Sequence, residues 1–179
     1  SVVSEALTSL TALEHRGGCA ADGKTGDGAG LMTDIPFSFF GFTPGTVAVG
    51  TLFLSTERGK QTKAIRLFEQ CLAFFDLNII EYRKVPLKVD VLGSSARDCL
   101  PRILQVFIER PKSRRVDESF NRLLYLAQQK VRSRLLDAGF ARDLFVVSLS
   151  TTTIVYKALT TASGLSKFYP DLLDEGFES

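Results

Sequence analysis

The spacing of apolar positions changes several times along the chain, and each change marks an element. From Val3, the residues Leu7, Leu10 and Leu13 recur at helical spacing, which predicts an amphipathic helix ending before Gly17-Gly18. Residues 31–35 and 46–54 are apolar and partly β-branched, bounded by Pro36 and by Thr43-Pro44-Gly45. They predict two strands joined through the aromatic turn 37–42 and paired with each other. Over residues 60–75, Ala64, Ile65, Leu67, Phe68, Cys71, Leu72 and Phe75 fall three and four apart, a second helix. Residues 79–86 and 89–92 are short strand candidates, and 100–109 predicts a strand with a helical lead-in. A third helix spans 120–136, with Leu123, Leu124, Ala127, Val131 and Leu135 as its buried stripe and Gly139 as its stop. Residues 144–149 and 153–159, separated by Ser150-Thr151-Thr152, read as a β-hairpin.

Helices and strands do not alternate as a doubly wound parallel sheet requires, so the pattern predicts an α+β fold with mostly antiparallel sheet. The 179 residues, 45% of them hydrophobic, suffice for one sizeable core, one domain or a part of one. The chain opens directly into a helical pattern and reaches Ser179 without a closing element, so part of one domain is the expectation. Lys plus Arg number 22 against 20 for Asp plus Glu, which supplies no general electrostatic reason to bind nucleic acid or an anionic membrane. The one basic cluster, residues 110–115, is followed at once by Asp117 and Glu118 and carries no interleaved aromatic, the composition of a solvated loop. No apolar run reaches the roughly 18 residues of a membrane span.

Cys19, Cys71 and Cys99 are widely scattered, which suggests reduced thiols in an intracellular compartment rather than a zinc site or a disulfide framework. His15 is the only histidine, so multi-histidine metal sites are excluded. Six glycines lie between Gly17 and Gly30, enough to let the backbone take positive φ and approach its neighbours closely. Within this segment, Gly18 to Thr25 satisfies the spacing of a phosphate-binding loop, Gly, four residues, Gly-Lys-Thr. The context is reversed, because that motif leaves a strand and opens a helix, whereas here a helix precedes and Gly26-Asp27-Gly28-Ala29-Gly30 follows. Ser1 invites a reading as an N-terminal nucleophile with its own amine as base. Leading straight into a helix, it reads better as a cap.

The stretch "ALTSLTALEHRGGCAADGKTGDGAGLMTDIP" resembles the region near the start of the large subunit in the glutamate synthase family, where Glu-His-Arg-Gly leads into Thr-Gly-Asp-Gly-Ala-Gly. The similarity continues collinearly at Val85-Pro86, Leu92-Gly93, residues 101–107, Tyr125-Leu126-Ala127, "SLSTTTIVYKAL" and Phe168-Tyr169-Pro170-Asp171-Leu172. It implies a class II glutamine amidotransferase domain with an N-terminal nucleophile type αββα four-layer sandwich. Residues 1–179 would form part of that domain, without its N-terminal nucleophile strand and its C-terminal portion.

In that family an amino-terminal cysteine attacks glutamine, and ammonia is the useful product. The resemblance implies that this cysteine precedes Ser1, and that the residues binding the glutamine carboxylate and amine lie beyond residues 174–179. The isolated chain is therefore expected to be inactive. Of its own residues, the resemblance places Arg16 and Gly17 beside the substrate, with Gly26, Asp27, Gly28 and Gly30 as the adjacent wall. It assigns no cofactor to this chain, and FMN with an iron–sulfur cluster to the rest of the parent enzyme. The implied partners are glutamine, the remaining glutamate synthase domains, and ferredoxin or a nicotinamide-dependent small subunit. The implied compartment is the cytoplasm or the plastid stroma. Two positions depart from the family pattern: Thr152 stands where Arg is usual, and Ala158 where Gly is usual. Loss of a planar five-donor group at Thr152 leaves open a second reading, a non-enzymatic scaffold that retains the amidotransferase fold.

Overall fold

A computed structural model describes residues 2–14, 17–18, 20, 22, 24–111 and 119–177. Helices α1 (Val2–Ala12), α2 (Arg58–Ala73), α3 (Ser94–Asp98), α4 (Phe120–Asp137) and α5 (Ala162–Phe168) accompany strands β1 (Ala29–Asp34), β2 (Val47–Leu54), β3 (Ile79–Lys84), β4 (Arg102–Glu109), β5 (Leu144–Ser150) and β6 (Thr153–Ala158). The chain divides into two compact units, one of Ser1–Gly41, Val85–Leu100 and Val155–Ser179, the other of Phe42–Lys84 and Pro101–Ile154. Most of the basic cluster, residues 112–115, lies outside the described residues.

The second unit holds a four-stranded sheet in the order β3-β4-β2-β5, antiparallel throughout. In β2 the period-two alternation sends Ala48, Leu52 and Leu54 to one face, and β4 sends Leu104, Val106 and Ile108 to the same face. Ala64, Phe68, Cys71 and Leu72 from α2 and Leu124, Ala127, Val131 and Leu135 from α4 close this core. Each fully buried Leu or Phe contributes about 1.5–3 kcal/mol, so this layer dominates the unit. The opposite face of β2 and β4 is also buried, at Val47, Val49, Ile103 and Phe107, which is why both strands read as unbroken apolar runs. A polar row crosses that face in register, Arg83 beside Gln105, Gln105 beside Thr51, Thr51 beside Ser148. The Arg83 guanidinium donates to Gln105 Oε1 at 2.7 Å, while the buried Thr51 hydroxyl has no partner among the described residues. Each outer strand carries an irregularity: Ile80 is skipped in the β3–β4 pairing and Val147 in the β2–β5 pairing.

Helix ends follow local chemistry. Ser119 caps α4 by accepting from Arg122 N–H, and Gly139, at φ +77°, lets Phe140 N–H return to the Leu135 carbonyl. In α2 the same closing geometry is taken by Asp76 at φ 55°, with Leu77 N–H donating to the Leu72 carbonyl.

In the first unit β1 pairs with β6. A Cβ placed on Gly26, Gly28 or Gly30 meets Thr160, Ala158 or Lys157 respectively; the partner number falls as the glycine number rises, the mark of an antiparallel pair. α5 packs against α1 and β1. A series of edge-to-face aromatic contacts runs Phe40, Phe39, Phe177, Tyr156, Tyr169, Phe168, with ring centroids 4.6–5.6 Å apart.

Three expectations are corrected. β1 and β2 do not pair, because residues 35–46 turn back on themselves, with Phe40 N–H on the Pro36 carbonyl and Gly41 N–H on the Ser38 carbonyl, and do not form a tight hairpin turn. β5 and β6 are both strands, yet no hairpin: β5 joins β2 and β6 joins β1. Ser150-Thr151-Thr152 has no glycine or asparagine for a two-residue hairpin turn, and Ser150 Oγ instead accepts from the N–H groups of Thr152 and Thr153. Residues 89–92 contain a 3₁₀ turn, Val89–Val91, closed by Leu92 N–H on the Val89 carbonyl. So short a run, with Asp90 inside it, pairs with no strand among the described residues.

Candidate functional site

The glycine-rich segment is tied down by backbone and carboxylate hydrogen bonds. Gly17 N–H donates to the Glu14 carbonyl at 3.0 Å, and the Glu14 carboxylate accepts from Ser163 Oγ at 3.0 Å. Hydrogen bonds from Thr161 and then Ser163 hold the Glu14 carboxyl below its usual range. The last turn after α1 is thus fastened to the start of α5.

Asp27 folds the loop across its base. Its carboxylate accepts Gly18 N–H at 2.7 Å, and its own N–H donates back to the Gly18 carbonyl at 3.2 Å. A Cβ at position 18 would lie 2.6 Å from that carboxylate. Asp22 organises the tip, accepting from Lys24 N–H at 3.0 Å, Thr25 N–H at 2.7 Å and the Thr25 hydroxyl at 2.6 Å. These bonds, the Thr25 hydroxyl first and Ser95 N–H last, hold the Asp22 carboxyl well below the usual carboxylate range. The Asp22 and Thr25 side chains occupy the space a Cβ would need at Gly93, the residue that opens α3.

The remaining glycines meet the β6 side. At Gly26 a Cβ would lie 2.6 Å from the Thr160 carbonyl oxygen, and Gly28 sits at φ +121°, open to glycine and costly for a side chain. Gly30 passes 3.2 Å from Lys157 Cβ by the same measure. β1 follows the loop where a phosphate-binding loop would open a helix, so the Gly18 to Thr25 spacing stands outside the structural context that motif requires. The structure therefore gathers Gly17, Gly26, Asp27, Gly28 and Gly30 into one stretch with β1 and β6, while Arg16, His15, Cys19 and Ser1 lie outside the described residues.

What the sequence reading missed is the fastening set of Glu14, Asp22, Thr25, Gly93, Thr160 and Ser163. The pattern Asp22-x-x-Thr25 signals a side-chain turn, whereas the partners at 93, 160 and 163 come from tertiary contact alone. Behind the loop, the "VYK" and "FYPDL" segments lock together: the Tyr156 hydroxyl donates to Asp171 Oδ2 at 3.0 Å and the Tyr169 hydroxyl to the Lys157 carbonyl at 2.8 Å. Burial, aided by Asp171, pushes the Tyr169 phenol far up. Among the described cysteines, burial raises the Cys71 thiol, and the exposed Cys99 donates to the Ser95 carbonyl at 3.2 Å. Neither is placed as a nucleophile. No group of three or more His, Cys, Asp or Glu able to hold a metal occurs among the described residues.

A sequence model of the class-II glutamine amidotransferases matches residues 1–179. The chain belongs to the class-II glutamine amidotransferases. Its antiparallel sheets with flanking helices are consistent with the N-terminal nucleophile hydrolase fold of that family. It is 35% identical over 188 residues to ferredoxin-dependent glutamate synthase 1, chloroplastic/mitochondrial, of Arabidopsis thaliana, covering 99% of this chain and 12% of that protein. It is likewise 35% identical over 189 residues to the glutamate synthase (NADPH) large chain of Azospirillum brasilense, covering 100% and 12%. Ferredoxin-dependent glutamate synthase 2 of a Synechocystis species gives the same 35% over 189 residues, again 12% of the relative. The chain thus spans about 12% of the length of these relatives. Among the described residues no helix is long and apolar enough to cross a membrane.

Proposed function

We propose that these residues are part of the glutaminase domain of a glutamate synthase and supply scaffold and wall for its glutamine site. The observation that carries this reading is similarity to glutamate synthases along nearly the whole chain, within a family defined by glutamine amide transfer. In the reaction proposed, a thiolate adds to the side-chain amide carbon and the C–N bond breaks. The nitrogen takes a proton from the α-ammonium and leaves as ammonia, and water then cleaves the glutamyl thioester to glutamate. Cys19, Cys71 and Cys99 each stand inside the chain without a free α-amine, so on this reading the nucleophile comes from another part of the polypeptide. The fastened loop then sets the wall beside it, with Gly17 and Arg16 nearest the substrate and Gly26, Asp27, Gly28 and Gly30 behind.

Ammonia would pass to 2-oxoglutarate, and reduction of the resulting imine would use FMN and an iron–sulfur cluster elsewhere in the polypeptide. Electrons would come from ferredoxin or a nicotinamide-dependent subunit, in the cytoplasm or a plastid stroma. The test begins with the transcript: a cysteine followed by Gly-Val-Gly upstream, and Arg-containing and Asn-Gly segments downstream, are expected. The polypeptide so encoded should form glutamate from glutamine and 2-oxoglutarate, and the 179-residue chain should release no ammonia from glutamine above buffer background. Glutaminase activity of the 179-residue chain that survives Ser1→Ala would overturn this assignment.

A further inference from the structure

α1 is a helix whose apolar stripe is only partly covered. Val3 is its one buried residue, Leu7 and Leu10 are half-buried, and Val2 stands 65% exposed. Beside it a groove of about 770 Å³ has an apolar floor of Leu7, Leu172, Leu173 and Phe177, with Leu173 itself 61% exposed. The α1 wall of the groove, Ser4, Leu7, Thr8 and Thr11, runs two turns at helical spacing beside that floor, a footprint of the length helix-in-groove recognition uses. Its rim is acidic. Asp174 and Glu175 line it, and no ion pair engages either carboxylate among the described residues. Lys167, on α5 next to the lining residue Ser166, acts on Glu14. An excess of carboxylate around an apolar floor, on a chain of net charge +2, is a local asymmetry that selects for a cationic occupant.

We propose that this groove receives an amphipathic helix with Lys or Arg flanking its apolar stripe, supplied by the same polypeptide outside these 179 residues. The inference rests on the reading of the chain as part of a glutamate synthase, whose relatives are about eight times longer by the 12% coverage. An occupant carried in cis docks at high effective concentration, so a shallow groove suffices. Its apolar residues would rest on Leu7, Leu173 and Phe177, and its cations would meet Asp174 and Glu175.

The experiment places a photoreactive benzoylphenylalanine at exposed Leu173 of the natural full-length polypeptide and maps the crosslink by mass spectrometry. The expected product is a crosslink within one polypeptide, to a helical segment beyond these residues with Lys or Arg beside apolar positions three and four apart. Combining Asp174→Lys with Glu175→Lys should lower its yield about tenfold at low salt, with a smaller loss at high salt. A crosslink to a second copy, to a separate protein or to an acidic segment overturns the proposal, as does the absence of any crosslink. The readout needs no turnover. A polypeptide that crosslinks as expected but does not consume glutamine leaves the docking intact and sinks the glutaminase reading, and the converse result does the reverse.

Discussion

The unit around the four-stranded sheet and the unit around β1 and β6 bury different kinds of side chain. In the first of these, aliphatic residues from β2, β4, α2 and α4 interdigitate, and almost nothing in that layer needs a polar partner. In the second, phenylalanine and tyrosine rings meet edge to face, tyrosine hydroxyls are spent on Asp171 and a carbonyl, and bare glycine backbone lies against β6. The difference sets what each unit tolerates. The aliphatic layer is sensitive to volume and indifferent to hydrogen bonding; the β1–β6 unit is sensitive to single atoms, because its contacts depend on particular donors and on absent Cβ atoms.

The largest effect expected is at Phe68, fully buried under the sheet. Phe68→Ala should cost about 3–5 kcal/mol in urea unfolding. By native-state hydrogen exchange, the loss should concentrate in β2, β4, α2 and α4. Equal loss of protection in both units would merge them into one cooperative block and end the comparison. Gly26→Ala adds a single carbon 2.6 Å from the Thr160 carbonyl oxygen and should cost about 2–3 kcal/mol, though it fills no hydrophobic core. A neutral result there would show that the loop yields freely.

Tyr156→Phe keeps the ring contacts and deletes the hydroxyl that donates to Asp171. It should cost about 1–2 kcal/mol, read from the same unfolding curves. In the other unit the matching deletion has the opposite sign. Thr51→Val removes a buried hydroxyl without a partner and keeps a β-branched shape in a strand, so stability should rise by about 1 kcal/mol. A loss on Thr51→Val would mean that the hydroxyl has a partner after all. Lys24→Ala should move stability by less than about 0.5 kcal/mol and leave ATP with magnesium without effect on the melting temperature. Among the described residues its side chain has no hydrogen bond or ion pair, whereas its backbone N–H serves the Asp22 turn.

All six strands and the three long helices were legible in the periodicity, because each carries its own apolar pattern. Pairing was not. Residues 31–35 and 46–54 look equally ready to pair, and what separates them is the turn 35–46 closing on itself and the glycine backbone of β1 lying against Lys157 and Ala158. Partner choice is a tertiary property, written in distances between residues 130 positions apart. α5 was missed because Gly164 and two serines weaken its pattern, and it is positioned by Glu14 and by contact with α1 and β1. For the glycine loop, the family resemblance identified the stretch, and the structure adds why Gly18, Gly26 and Gly28 cannot easily be anything else.

The two skipped residues, Ile80 in β3 and Val147 in β5, fall on the outermost strands of the four-stranded sheet. A strand that steps out of register with its inner neighbour presents a broken rhythm of N–H and C=O groups on its outer side as well. An incoming extended segment would find correct spacing for only a few residues before meeting the step. Among the described residues each border of the sheet thus carries a one-residue step, and β3 adds the charges of Glu81, Arg83 and Lys84 to its border. Straightening either, by deleting Ile80 or Val147, would convert a terminating border into a template for further strands.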